Sequence, residues 1–298
     1  MYSKLKVLFI FLLASSTLAR VNLITTTTDI AWVANQLGGE HVNVKSLLNG
    51  PEDPHYVEAL PSFIHKTASA DIFCVIGLEL ESAWSTKVLK RSGNRKVQPG
   101  SKGYCDASKN VEVLGKLETA LDRSHGDVHS AGNPHYHLAP SYLVMASKEI
   151  LRALVDNDIK NKDIYESNFN SLSRNLINLK QENLLKLSQI KNLKFMEYHK
   201  EFTYFLSDYK LNNTGSVEDI SGVPPSAARI VNVINMIKEN KISAILATQN
   251  APKKILGKLV EATGVKVIYS PLSLEDYQSK DAYKNLQNNL INQLVELK

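Results

Sequence analysis

The chain of 298 residues is poor in cysteine, with Cys74 and Cys105 its only two. Two cysteines are not a disulfide framework, and a chain of this length buries a core without one. An oxidising compartment permits a bond between them, while the apolar run DIFCVIG around Cys74 fits a buried free thiol equally well. Charge of one sign is also scarce: 35 Lys and Arg stand against 30 Asp and Glu, a net of +5. That excess is too small and too evenly spread to argue for nucleic acid. No segment after residue 20 is long and apolar enough to cross a bilayer, which takes about 20 apolar residues. There is no nucleophile elbow, Walker loop, Rossmann glycine fingerprint or HExxH, so the short signatures of several enzyme classes are missing. No internal repeat with a short period occurs. Hydrophobic residues at 43% and charged residues at 22% exclude a disordered or collagen-like chain.

What is present begins with a leader. Lys4 and Lys6 precede the apolar run VLFIFLL, and SSTLA follows, with Thr17 and Ala19 at the small-residue positions. The order of basic, apolar and small zones predicts a secretory signal peptide over 1–19, cut near Ala19. Its removal takes away two lysines and no acid, leaving a net of +3. No cysteine follows the apolar run, which speaks against a lipid-anchored mature N-terminus. The expected product is soluble and exported to the periplasm.

Strand-like and helical patterns then alternate. VNLITTTT (21–28) reads as a strand, and Asp29 and Gly38 are placed to cap and end a helix. Strands are expected over 41–48 and 71–77, with helices over 61–69 and 79–90. Residues 91–133, rich in Gly, Ser, Asn, Asp and Lys, read mostly as surface loop, and a helix resumes over 141–155. Residues 162–191 contain neither Gly nor Pro and repeat Leu or Ile at spacings of three and four. This predicts one long helix, about 45 Å from end to end. A second alternation follows, with strands at 192–198, 242–248 and 265–270 and helices near 200–210 and over 226–238, 252–263 and 280–297. The expected class is α/β, with two lobes built on parallel sheets. The N-terminal lobe spans 20–160, the linking helix 161–191 and the C-terminal lobe 192–298.

The eight histidines carry the chemistry, because neutral imidazole is the commonest metal ligand. His55 in EDPHYVE, His135 in GNPHYHLAP and His199 in FMEYHKEF all fall at or beyond strand ends, where open α/β sheets bind ligands. A preceding proline stiffens the loops of the first two. His41 reads as structural and His65 as solvent-facing. His125 and His129, in the exposed-looking HGDVH, could gather metal loosely. His137 could lie behind the metal ligands or simply pack.

Taken in order, GPEDPHYVE, NPHYHLAP and the strand–His–x–x–F–x–Y segment resemble the metal-binding solute receptors of ABC transporters, in their zinc- and manganese-binding class. The resemblance covers essentially the whole mature chain. It implies that a long helix links two lobes, with metal held in the cleft between them. It implies metal ligation by His55, His135 and His199, with no catalytic residue and no resident cofactor. The third ligand is His in the zinc receptors of that class and usually Glu in the manganese receptors, so His199 favours Zn2+ as cargo. The implied partners are zinc and a membrane permease of an ABC transporter, with the receptor itself a monomer. The family's fourth ligand is an Asp ending a late strand, and Ser270 stands there, in YSPLS. Three histidines plus water, or a carboxylate from Glu275 or Asp276, would complete the set. An open three-His site is also what catalytic zinc uses, which keeps a zinc hydrolase with Glu58 near His55 as an alternative. A manganese-type receptor and a surface adhesin on the same scaffold are the others.

Overall fold

The computed structural model describes residues 20–116, 129–219 and 222–298. The expected signal peptide, His125 and most of HGDVH lie outside the described residues.

Two parallel four-stranded sheets form the frame, ordered β2-β1-β3-β4 and β6-β5-β7-β8. The first comprises β1 (Val21–Thr25), β2 (Val42–Ser46), β3 (Ile72–Val75) and β4 (Tyr104–Asp106). The second comprises β5 (Lys194–Glu197), β6 (Asn212–Ser216), β7 (Ala244–Thr248) and β8 (Lys266–Ser270). In each, the strand order reverses beside the first strand to enter, which opens a crevice at the carboxyl ends. Helices α1 (Thr28–Gly38), α2 (Pro61–Ala68), α3 (Ser82–Ser92) and α4 (Pro140–Asn157) flank the first sheet. The second is flanked by α6 (Thr203–Asp208), α7 (Ala227–Asn240), α8 (Lys253–Thr263) and α9 (Ala282–Val295).

Between the sheets runs α5 (Lys162–Leu187), extended by a 3-10 turn over Ser188–Ile190. Its Leu172, Leu176, Leu179 and Leu187 are buried. They belong to one continuous core that reaches from Leu23 and Ile72 of the first sheet to Phe195 and Leu246 of the second. Outer cores under α2 and α3 and under α7 and α8 cover the remaining sheet faces. Burying each of those leucines contributes about 1.5–3 kcal/mol, so α5 fastens the lobes along its length.

Among the described residues, 91–133 are mostly loop and turn as expected, with β4 and two 3-10 turns set among them. One expectation is corrected. Asp29 does not cap α1: it lies inside the first turn, buried, and its Oδ1 accepts from the Leu274 amide across the cleft at 3.3 Å. Strand β4 also resolves the cysteines. Cys74 and Cys105 face each other in register on β3 and β4 and form a disulfide with Cα atoms 4.4 Å apart.

Candidate metal centre

Each of the three histidines sits on a segment that leaves it little freedom. His55 lies in the 3-10 turn Pro54–Tyr56. Asp53 caps that turn, accepting from the His55 amide at 3.0 Å and from the ring Nδ1 at 2.7 Å. Behind it, the Trp84 indole N–H donates to the Pro54 carbonyl at 2.8 Å. An ionised carboxylate can only accept, so Nδ1 carries the proton and Nε2 keeps its lone pair. Burial by itself raises the Asp53 carboxyl, but the hydrogen bonds and charge of His55 outweigh it and hold the group below its ordinary value.

His135 caps the turn Tyr136–Leu138. Its amide donates to Asn133 Oδ1 at 2.9 Å, and the Asn133 side chain donates to the Lys200 carbonyl of the other lobe at 2.6 Å. The Tyr204 hydroxyl donates to the Asn133 carbonyl at 2.7 Å, and the Tyr136 hydroxyl donates to the Ile76 carbonyl at 2.7 Å. The imidazole is 2% exposed, and neither ring nitrogen has a hydrogen-bond partner among the described residues. Burial, then the neighbouring His55 and His199, hold its protonation well below the ordinary histidine value. The ring is therefore neutral, with an unused lone pair in the interior.

His199 follows β5. The Tyr198 amide continues the ladder to the Leu246 carbonyl at 2.8 Å, and the Glu218 amide donates to the Tyr198 carbonyl at 3.1 Å. Because β5 and β6 are parallel neighbours, the residues just beyond their ends also meet. His199 Nδ1 donates to Glu218 Oε2 at 2.8 Å, and the Gly222 amide donates to the same oxygen at 2.8 Å. As with Asp53 and His55, the carboxylate fixes the tautomer that carries its proton on Nδ1.

One ring nitrogen from each of His55, His135 and His199 lies within 4.8 Å of the others. The ring centres stand 5.2, 5.4 and 5.8 Å apart. Imidazoles around a tetrahedral ion bonded at 2.0–2.1 Å have ring centres about 5 Å apart. The two unsatisfied nitrogens of a buried neutral His135 cost stability unless something takes up a lone pair. The donor set fits a borderline divalent ion such as zinc.

The remaining predicted residues divide. His41 packs edge-on to Tyr165 at 6.4 Å, and His65 is exposed. His137 donates from Nε2 to the Leu272 carbonyl at 3.0 Å, so it ties the lobes together. Glu275 and Asp276 are exposed, and Asp276 Oδ1 accepts from the Gln278 amide at 3.0 Å. Neither brings a carboxylate to the cleft. Ser270 is buried, and its hydroxyl donates to the Pro271 carbonyl at 3.1 Å. Glu58, the base that a hydrolase would use, is exposed.

Sequence reasoning misjudged the exposure of one neighbour of the triad and missed three others. His129 does not lie exposed: it is 8% accessible, and its Nε2 lies 3.1 Å from His55 Nε2. Asp53 was readable in principle, since Asp two residues before His is the spacing that caps a turn. Glu218 and Glu201 carry no local signal. Glu201 is buried, and its carboxyl is pushed up to about 8 by that burial, partly offset by His199 and the Thr248 hydroxyl.

Residues 23–297 match the family described as ZnuA, zinc-uptake complex component A, periplasmic. The chain is 27% identical over 266 residues to the zinc-binding lipoprotein AdcA of Streptococcus pneumoniae, covering 88% of this chain and 52% of AdcA. It thus spans about half the length of that relative. It is 24% identical over 285 residues to the manganese ABC transporter substrate-binding lipoprotein PsaA of Streptococcus pneumoniae, covering 93% of this chain and 88% of PsaA. A crystal structure of ZnuA superposes with a TM-score of 0.77 at 23% identity, covering 92% of this chain and 98% of that one. Two parallel-sheet lobes on a long helix are thus the shared fold, and the chain belongs to the ZnuA family of metal-binding receptors of ABC transporters, which are not enzymes.

Proposed function

We propose that this protein is an exported zinc receptor that hands its ion to the permease of an ABC importer. The observation that carries the reading is the convergence of His55, His135 and His199 within 4.8 Å. His55 and His135 belong to the N-terminal lobe and His199 to the C-terminal lobe, so the ion bridges them. Relatives named for zinc and for manganese both match this chain. The choice of zinc rests on three imidazole donors where manganese prefers oxygen. The Cys74–Cys105 disulfide supports export to an oxidising compartment such as the periplasm. A monomer is expected.

The test is metal content after purification without tag or chelator, followed by competition titrations with zinc and manganese. We expect one zinc per chain, tighter than manganese, and loss of binding in His55→Ala, His135→Ala and His199→Ala. Retention of wild-type zinc affinity in the His135 variant would overturn the reading, and tighter manganese than zinc would overturn the choice of ion.

A further inference from the structure

We propose that His129 is the fourth donor to the ion, making a site of four imidazoles; this rests on the receptor reading above. The strand-end position offers no carboxylate, because Ser270 stands there and spends its hydroxyl on the Pro271 carbonyl. Glu275 and Asp276 point to solvent. His129 stands against His55 instead.

The geometry is that of a coordination edge. His129 Nε2 lies 3.1 Å from His55 Nε2, and two nitrogens of a tetrahedral zinc site lie about 3.4 Å apart. The two rings are centred 5.2 Å apart, the same separation as His55 and His135. His129 and His135 are 6.4 Å apart, so His129 closes by about an ångström when an ion takes the centre. Asp53 accepts from His55 Nδ1 at 2.7 Å, which turns the Nε2 of that ring toward His129. An ion between the two rings would bond to one nitrogen of each.

The segment behind His129 is built to present it. The Ser130 amide donates to Glu79 Oε2 at 2.9 Å, and the Ser130 hydroxyl reaches both Glu79 oxygens at 3.2 Å. The Gly132 amide donates to the His129 carbonyl at 3.1 Å, and the Asn133 amide to the Leu114 carbonyl at 2.9 Å. Gly132 turns with φ of +119°, and a side chain there would collide with Val113, so the turn requires glycine. An all-nitrogen shell disfavours manganese, which prefers oxygen. His129 is therefore a specificity-determining residue.

The test uses the full chain and its His129→Ala, His129→Gln, Glu201→Gln and His135→Ala variants. X-ray absorption of the zinc-loaded protein counts imidazoles, the visible spectrum of the cobalt(II)-loaded protein reports coordination, and chelator competition gives zinc and manganese affinities. We expect four imidazoles in the wild type and three plus an oxygen in both His129 variants. Zinc affinity should fall about 10–100-fold with manganese affected less, while thermal melting of the metal-free variants stays at the wild-type value. Unchanged cobalt spectra and zinc affinity in both His129 variants would overturn the assignment and leave the receptor reading standing. Loss confined to Glu201→Gln would overturn it in favour of that carboxylate. Wild-type zinc binding by His135→Ala would overturn the receptor reading itself, and the assignment with it.

Discussion

Asp53 and Glu218 each accept a hydrogen bond from the Nδ1 of a histidine, at 2.7 and 2.8 Å, and so aim the opposite nitrogen into the cleft. Asp53→Asn keeps the size of the side chain and a weaker acceptor but removes the charge. Zinc affinity should fall about 10–100-fold, read by chelator competition; an unchanged affinity would mean that the Pro54 turn alone orients His55. A pH effect belongs to His135. Its folded-state protonation is held well below the ordinary value, whereas in the unfolded chain it takes a proton below about pH 6.5. As pH falls through that value the unfolded chain binds a proton that the folded chain refuses, so stability drops. Urea denaturation of the metal-free protein between about pH 7 and 5 should show a decline that His135→Asn flattens. His55 and His135 were legible because proline precedes each in a loop at a sheet edge. His129 was not, because its sequence neighbours Ser, Gly and Asp read as solvated, and only the folded chain brings it against His55.

At the scale of elements, legibility follows burial on two faces. Strands β3 and β7 are buried at every position and read as apolar runs, as the centre of a parallel sheet requires. Both missed strands, β4 and β6, are sheet edges. The first is YCD and the second NNTGS, largely exposed, so neither carries an apolar pattern. Missing β6 also hid Glu218, which lies beside His199 only because β5 and β6 run parallel. The long helix was legible from its leucine spacing alone. Leu176, 2% exposed at its middle, fills the core between the lobes. Leu176→Ala should cost about 2–5 kcal/mol, measured by urea denaturation of the metal-free protein. A cost under about 1 kcal/mol would place α5 on the surface of the core rather than within it.

Across the whole molecule, α5 is not the only tie. The segment after β8 crosses to the N-terminal lobe, where the Trp32 indole donates to the Ser279 carbonyl and the Asn35 amide group to the Tyr277 carbonyl, each at 3.1 Å. His137 donates to Leu272 and the Leu274 amide to buried Asp29. On the opposite rim the Asn250 side chain donates to the Pro51 carbonyl at 3.0 Å. Swinging the lobes apart would break these bonds and open the shared core, so the metal-free protein already holds its histidines near their bound spacing. Zinc should therefore raise the melting temperature, by binding the folded chain alone, yet leave the radius of gyration unchanged to within about 1 Å. Small-angle scattering with and without zinc checks the second point. A contraction of several ångströms would mean that the cross-lobe bonds give way in solution, and that the ion assembles its site instead of entering one already formed.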